Sequence, residues 1–136
     1  MRPTLALLLA ACAHAGPIGS RPGFALTRGA AAEVCLPDGE LEYLRSLRCA
    51  SGEQPRLHRV GSVGSRNQTT PNDPRLLQQM DISGVLPPGD PDLHIVDAWE
   101  LRCGEKVVTV YLDMYHCARR EQQPAPEGFT RSATGT

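Results

Sequence analysis

The chain reads as a small disulfide-stabilised α+β domain, with a C-terminal antiparallel β-hairpin and one or two short helices. Three observations lead to that class. Two apolar-rich segments between His94 and Cys117 meet at Gly104. Four cysteines, Cys35, Cys49, Cys103 and Cys117, follow an export-like N-terminus. The other apolar residues fall in short runs interrupted by Pro and Gly, too brief for a large helical or parallel-sheet core.

The hairpin is the central element, and its register is set by two signals that agree. Gly104-Glu105 suits a type II′ turn, which takes Gly at its first central position. Cys103 then pairs with Lys106, and Ile95, Trp99 and Leu101 share an apolar face with Val108, Val110, Leu112 and Met114. His94, Val96, Ala98, Glu100 and Arg102 lie on the opposite face with Val107, Thr109, Tyr111, Asp113 and Tyr115, as expected for a sheet with one solvated side. A one-residue slip would set Glu100 opposite Val110. Asp97 is the exception, a carboxylate on the apolar face, expected to accept bonds from backbone N–H groups or the Trp99 indole.

The N-terminus carries Arg2, an apolar run from Leu5 to Ala13 and an Ala13-His14-Ala15 cleavage pattern, the layout of an export signal. The run is short of the ~20 apolar residues that span a bilayer. Leu9-Ala10-Ala11-Cys12 overlaps it and resembles a bacterial lipobox, in which Cys12 would be lipidated. Residues 1–15 are therefore read as a signal cleaved after Ala11 or Ala15, 16–32 as a Gly/Pro-rich flexible linker, 33–119 as the folded unit and 120–136 as a disordered tail.

Removal of Cys12 leaves an even set of four cysteines, which in an exported chain implies a disulfide framework. Cys117 lies about 36 Å beyond the partner of Cys103 along straight strands. Each hairpin cysteine is therefore expected to bond Cys35 or Cys49. None of the four has the C-x-x-C spacing of a tetrahedral site, so no metal or cofactor is expected. A unit this small has a marginal core, which gives the disulfides a thermodynamic role.

Within the unit, Asp38, Glu40, Leu41, Leu44 and Leu47 with Arg45 and Arg48 give a short helix, acidic at its start and basic at its end, with a strand as the alternative because Tyr43 and the run into Cys49 could extend. Residues 55–63 (PRLHRVGSV) read as an edge strand beside the hairpin. Asn72-Asp73-Pro74 caps a second short helix through Met80, and residues 83–92 form a turn-rich loop.

Thirteen arginines and one lysine, with abundant Ala, Gly and Pro, point to a GC-rich bacterial source and hence to the periplasm or outer membrane. The mature chain carries 13 basic against 15 acidic residues, a net charge of -2 that gives no bulk attraction to nucleic acid; membrane contact is expected only through a lipid anchor. Asn67-Gln68-Thr69 is a glycosylation sequon that counts only in a eukaryote. The chain has no G-x-S-x-G elbow, phosphate loop, H-E-x-x-H helix or EF-hand loop.

Two sets of residues carry the candidate chemistry. Arg45, Arg48, Arg56, Arg59 and Arg66 face Glu53 alone in their segment, whereas seven acids stand against Arg102 and Lys106 between Asp81 and Cys117. The halves complement each other within one domain, or Arg45, Arg48, Arg56 and Arg59 bind carboxylate or phosphate groups. On the hairpin's polar face, His94 faces Tyr115 and lies diagonal to Asp113, with Tyr111 nearby, so His94, Tyr111, Asp113 and Tyr115 are the acid/base or ligand-binding candidates. The expected role is a monomeric, non-enzymatic exported envelope binding module, whose partner is an envelope protein or an anionic glycan. The alternative is a small periplasmic hydrolase or hydrolase inhibitor using the hairpin's polar face.

Overall fold

The computed structural model describes residues 18–66 and 94–132. The signal segment with Cys12, the sequon at Asn67, the second helix at Asn72–Met80 and the loop before the hairpin lie outside the described residues. The elements in chain order are β1 (Ala32–Glu33), α1 (Leu36–Ser46), β2 (Leu47–Cys49), β3 (Arg56–Ser65), β4 (Ile95–Cys103), β5 (Lys106–Asp113), a 3₁₀ turn at Arg120–Gln122, and β6 (Phe129–Arg131). The fold is α+β. Among the described residues, four strands form a sheet in the order β1-β5-β4-β3, and β2 pairs with β6 in a separate ribbon.

The hairpin has the expected register. Cys103 faces Lys106, Leu101 faces Val108, Trp99 faces Val110 and Asp97 faces Leu112. Gly104 has φ +57°, and Glu105 is not left-handed, as a type II′ turn requires. Leu101, Val110 and Leu112 are fully buried, while Trp99 and Val108 are partly buried against the same core. The expected solvated face holds only toward the turn. Near the start of β4, Val96 and Ala98 are buried and Ile95 is exposed, and His94 and Asp113 are also buried. Alternation along one strand cannot reveal a second covering layer that comes from distant segments.

β3 is the predicted edge strand, paired antiparallel to β4 from Arg56↔Arg102 to Ser65↔Ile95. Its register shifts between Arg59 and Gly61 and again between Ser62 and Ser65, so Val60 bulges out and is 53% exposed. Glycine at positions 61 and 64, at φ +136° and +104°, takes up these irregularities.

Helix α1 begins earlier than the acidic signal suggested and ends earlier. Pro37 occupies its first turn with Asp38, and Arg45 lies in its last. Leu47 is already extended and opens β2, so Arg48 belongs to a strand rather than to the helix end. Gly39, Glu40, Tyr43, Leu44 and Ser46 form its buried side. A Cβ on Gly39 would collide with the Val34 carbonyl oxygen, so this close approach of helix to chain requires glycine.

Both disulfides link the hairpin to the preceding chain, Cys35–Cys117 and Cys49–Cys103, with Cα separations of 4.4 and 5.9 Å. Cys35 and Leu36 both have positive φ, 59° and 63°. Such backbone costs on the order of 1–2 kcal/mol per non-glycine residue. The Cys35–Cys117 bridge and a bond from the Leu36 N–H to the Met114 carbonyl at 2.6 Å hold it in place.

The linker and tail boundaries need correction. Residues 18–32 are built into the fold: Phe24, Ala25, Ala31 and Ala32 are buried, and the Tyr111 N–H donates to the Ala25 carbonyl. The C-terminal stretch is equally integrated, with Ala125, Pro126, Phe129 and Arg131 buried and β6 paired to β2. The two stretches also bond to each other, through Ile18–Arg131 and through Arg21 and Gly19 to Ala125. Each segment is too irregular for periodicity to reveal it, because its backbone is satisfied largely by partners 80 or more residues away.

Trp99 and Asp97 differ from expectation together. Trp99 is partly rather than fully buried, and its indole N–H donates to the side-chain carboxyl oxygen of Glu40 on α1. Asp97, only 2% exposed, instead accepts from Arg59 Nε at 3.0 Å and Nη2 at 2.7 Å and from the Ser62 hydroxyl at 2.8 Å.

Candidate functional site

The turn-distal end of the sheet gathers the polar residues. Asp113 closes β5 beside Glu33 of β1, and Arg66 follows β3 directly. The Asp113 carboxylate is 1% exposed and accepts from the Tyr115 N–H at 2.9 Å, from His116 Nδ1 at 2.8 Å and from Arg66 Nη1 at 3.3 Å. Burial pushes this carboxyl up, but the hydrogen bonds from His116 and Tyr115, with the His116 and Arg66 charges, outweigh it and hold the group below its ordinary value. Arg66 also donates to Glu33 and to the carbonyls of Gly29 and Ala31, at 3.2, 3.3 and 2.7 Å. One guanidinium thereby fastens the β3 end to the N-terminal stretch and to β1.

The four hairpin candidates are only partly brought together. His94 is buried and stacks on Tyr115, with ring centroids 4.0 Å apart. Burial, with the charges of Asp97 and Asp113, raises the Tyr115 phenol. The imidazole that Asp113 orients is that of His116 and not that of His94. Tyr111 is partly buried and sits beside Ala25. Asp113 is a buried structural acceptor rather than a solvated side chain on an open strand face.

The four arginine candidates do not form one surface. Arg59 is locked on Asp97. Arg48 donates to the carbonyls of Arg45 and Leu47, both at 2.7 Å, while Arg45 lies exposed at the end of α1. Arg56 is exposed at the start of β3, on the sheet face opposite Arg59. With Arg66 on Asp113 and Glu33, two of the arginines in the basic segment answer acids elsewhere in the same domain.

Beside the Asp113 network lies a cleft of about 470 Å³, lined chiefly by Arg21, Glu33, Arg66, Arg119, Gln122 and Gln123. Three guanidiniums face one carboxylate. Gln123 is buried and fixes one wall, accepting from the Glu33 N–H at 2.9 Å and donating to the Arg119 carbonyl at 3.1 Å. The Arg21 guanidinium lies over the Phe24 ring, 4.6 Å from its centroid, which holds it at the rim. Arg21, Gln122 and Gln123 were missed because they lie in stretches that read as linker and tail, and Arg119 because it is the last residue before that tail. The usable signal was the chain's two phenylalanines, Phe24 and Phe129, both in those stretches and both in need of burial.

Comparison with family models, curated proteins and solved structures finds no match for the chain.

Proposed function

We propose that this chain is a non-enzymatic, exported envelope binding module that receives a carboxylate or phosphate group of an envelope protein or glycan in the arginine-lined cleft. The observation that carries the reading is the cleft's composition: Arg21, Arg66 and Arg119 share its lining with Gln122 and Gln123. Guanidinium forks match carboxylate and phosphate oxygens in a bidentate way, and amides complete such a shell without adding charge. Two disulfides are compatible with an exported protein. The signal-like segment and Cys12 favour an envelope location, either soluble or lipid-anchored.

The test is a titration of the oxidised protein with inorganic phosphate and with acetate, followed by amide shifts. Arg21, Arg119, Gln122 and Gln123 should respond, and an Arg21→Gln, Arg119→Gln double variant should lose the response while keeping its fold. Saturable shifts elsewhere, or none, would reject the cleft. Intact mass of the native protein decides anchoring: lipid on Cys12 or a free start at Gly16 supports export, and retention of Met1 rejects it.

The hydrolase alternative is favoured by one observation, the Asp113–His116 contact, which orients an imidazole that is 26% exposed. On that reading His116, rather than His94, is the base, and His116→Ala abolishes the activity while Arg119→Gln spares it.

A further inference from the structure

At the other end of the sheet, two arginines face each other across neighbouring strands. Arg56 of β3 is the direct partner of Arg102 of β4, and Arg102 in turn faces Val107 of β5. Two residues along, the next row is His58, Glu100 and Thr109. Side chains alternate between faces, so these six residues share the face opposite Leu57, Leu101 and Val108, which pack on the core. Arg56, His58, Arg102, Val107 and Thr109 are exposed. Like charges directly opposite in a sheet are destabilising, and strands lie only about 4.8 Å apart. Among the described residues neither Arg56 nor Arg102 takes part in an ion pair, whereas Arg59 and Arg66, from the same strand and its end, both do.

From this arrangement we propose that the open face at the turn end of the sheet is a docking surface for an acidic polysaccharide, whose uronate carboxylates are shared between Arg56 and Arg102. The bridging anion relieves the repulsion that the sheet otherwise carries. The surface presents Val107 and Thr109 beside the arginines, which suits a polymer of hydroxylated rings lying across the strands. An acidic peptide would dock best by extending the sheet, and the two register shifts of β3 break the regular edge it needs. The surface is independent of the cleft. Asp113, held by Arg66 at the cleft, and Val107, opposite Arg102, are six residues apart on β5, roughly 20 Å.

The test is a titration of the isotope-labelled oxidised full chain with a short oligogalacturonate at low salt. Amide shifts should map to Arg56–His58, Glu100–Arg102 and Val107–Thr109, and should fade as salt rises. Arg56→Gln and Arg102→Gln should each weaken binding about tenfold, the loss expected for one charge-assisted contact. Each should also leave the thermal midpoint unchanged or higher, because the repulsion is removed. Arg102→Lys should keep that repulsion and lose the bidentate fork, binding more weakly than the natural chain. The proposal is overturned by an absence of shifts, by shifts confined to Arg21 and Arg119, by full binding in both Gln variants, or by poly-glutamate binding more tightly than the uronate. The last outcome would assign the surface to an acidic protein.

Discussion

Glu40 on helix α1 accepts the indole N–H of Trp99 on β4, tying the helix to the sheet from inside the domain. Glu40 is 4% exposed. Burial pushes its carboxyl up to about 7; the Trp99 bond opposes the shift, the Asp97 charge adds to it, and the Arg59 charge opposes it.

Stability should therefore fall as pH rises through this group. The folded state retains the Glu40 proton up to about pH 7, whereas the unfolded chain releases it near 4.5. Between those values the native state binds more protons, so raising the pH favours unfolding, by up to about 3 kcal/mol across the window. Urea midpoints from pH 4.5 to 7.5 should decline in the natural chain and stay nearly level in Glu40→Gln. A level natural profile would contradict the buried, protonated Glu40.

Asp113 acts in the opposite sense. Its folded carboxyl titrates below the unfolded value of 3.8, so its contribution is complete above that value and is lost as pH falls further. Arg66→Ala strips the buried carboxylate of one partner and should cost about 3 kcal/mol. Equilibrium denaturation at pH 7 checks the size. The loss should shrink in acid, where Asp113 is protonated in both states.

Reduction should unfold the domain. The bridges close loops of 82 and 54 residues. In the chain-entropy model each contributes about 4 kcal/mol. Peptide mapping without reductant should recover Cys35 with Cys117 and Cys49 with Cys103. A Cys35→Ser, Cys117→Ser pair should lose less than its Cys49, Cys103 counterpart, because freeing Cys35 and Leu36 from the left-handed region recovers part of that backbone cost.

The C-terminal stretch should behave as core. Phe129 is 4% exposed and packs in the main cluster. Phe129→Ala should destabilise by about 3 to 5 kcal/mol. Removal of residues 120–136 should be at least as damaging by thermal melt, and an unchanged midpoint would restore the reading of these residues as a tail.

The sequence by itself determined what rests on short-range physics. The hairpin register follows from period-two alternation and a glycine turn, β3 was legible as a short edge segment at residues 55–63, and the short helix follows from acids before and arginines after its apolar residues. The disulfide choice followed from reach alone: a straight hairpin keeps Cys103 and Cys117 apart, and the fold then selected one of the two remaining pairings. Tertiary structure alone decided which carboxylate meets which cation. Asp113 takes Arg66 and His116, Asp97 takes Arg59, and Trp99 turns to Glu40, because each partner arrives from an element with no sequence relation to the strand it meets. The cleft belongs to the same class. Its walls join residues 21–33 to residues 119–124, and such a juxtaposition is specified by core burial of Phe24 and Ala125 at long range, not by any local pattern in either stretch.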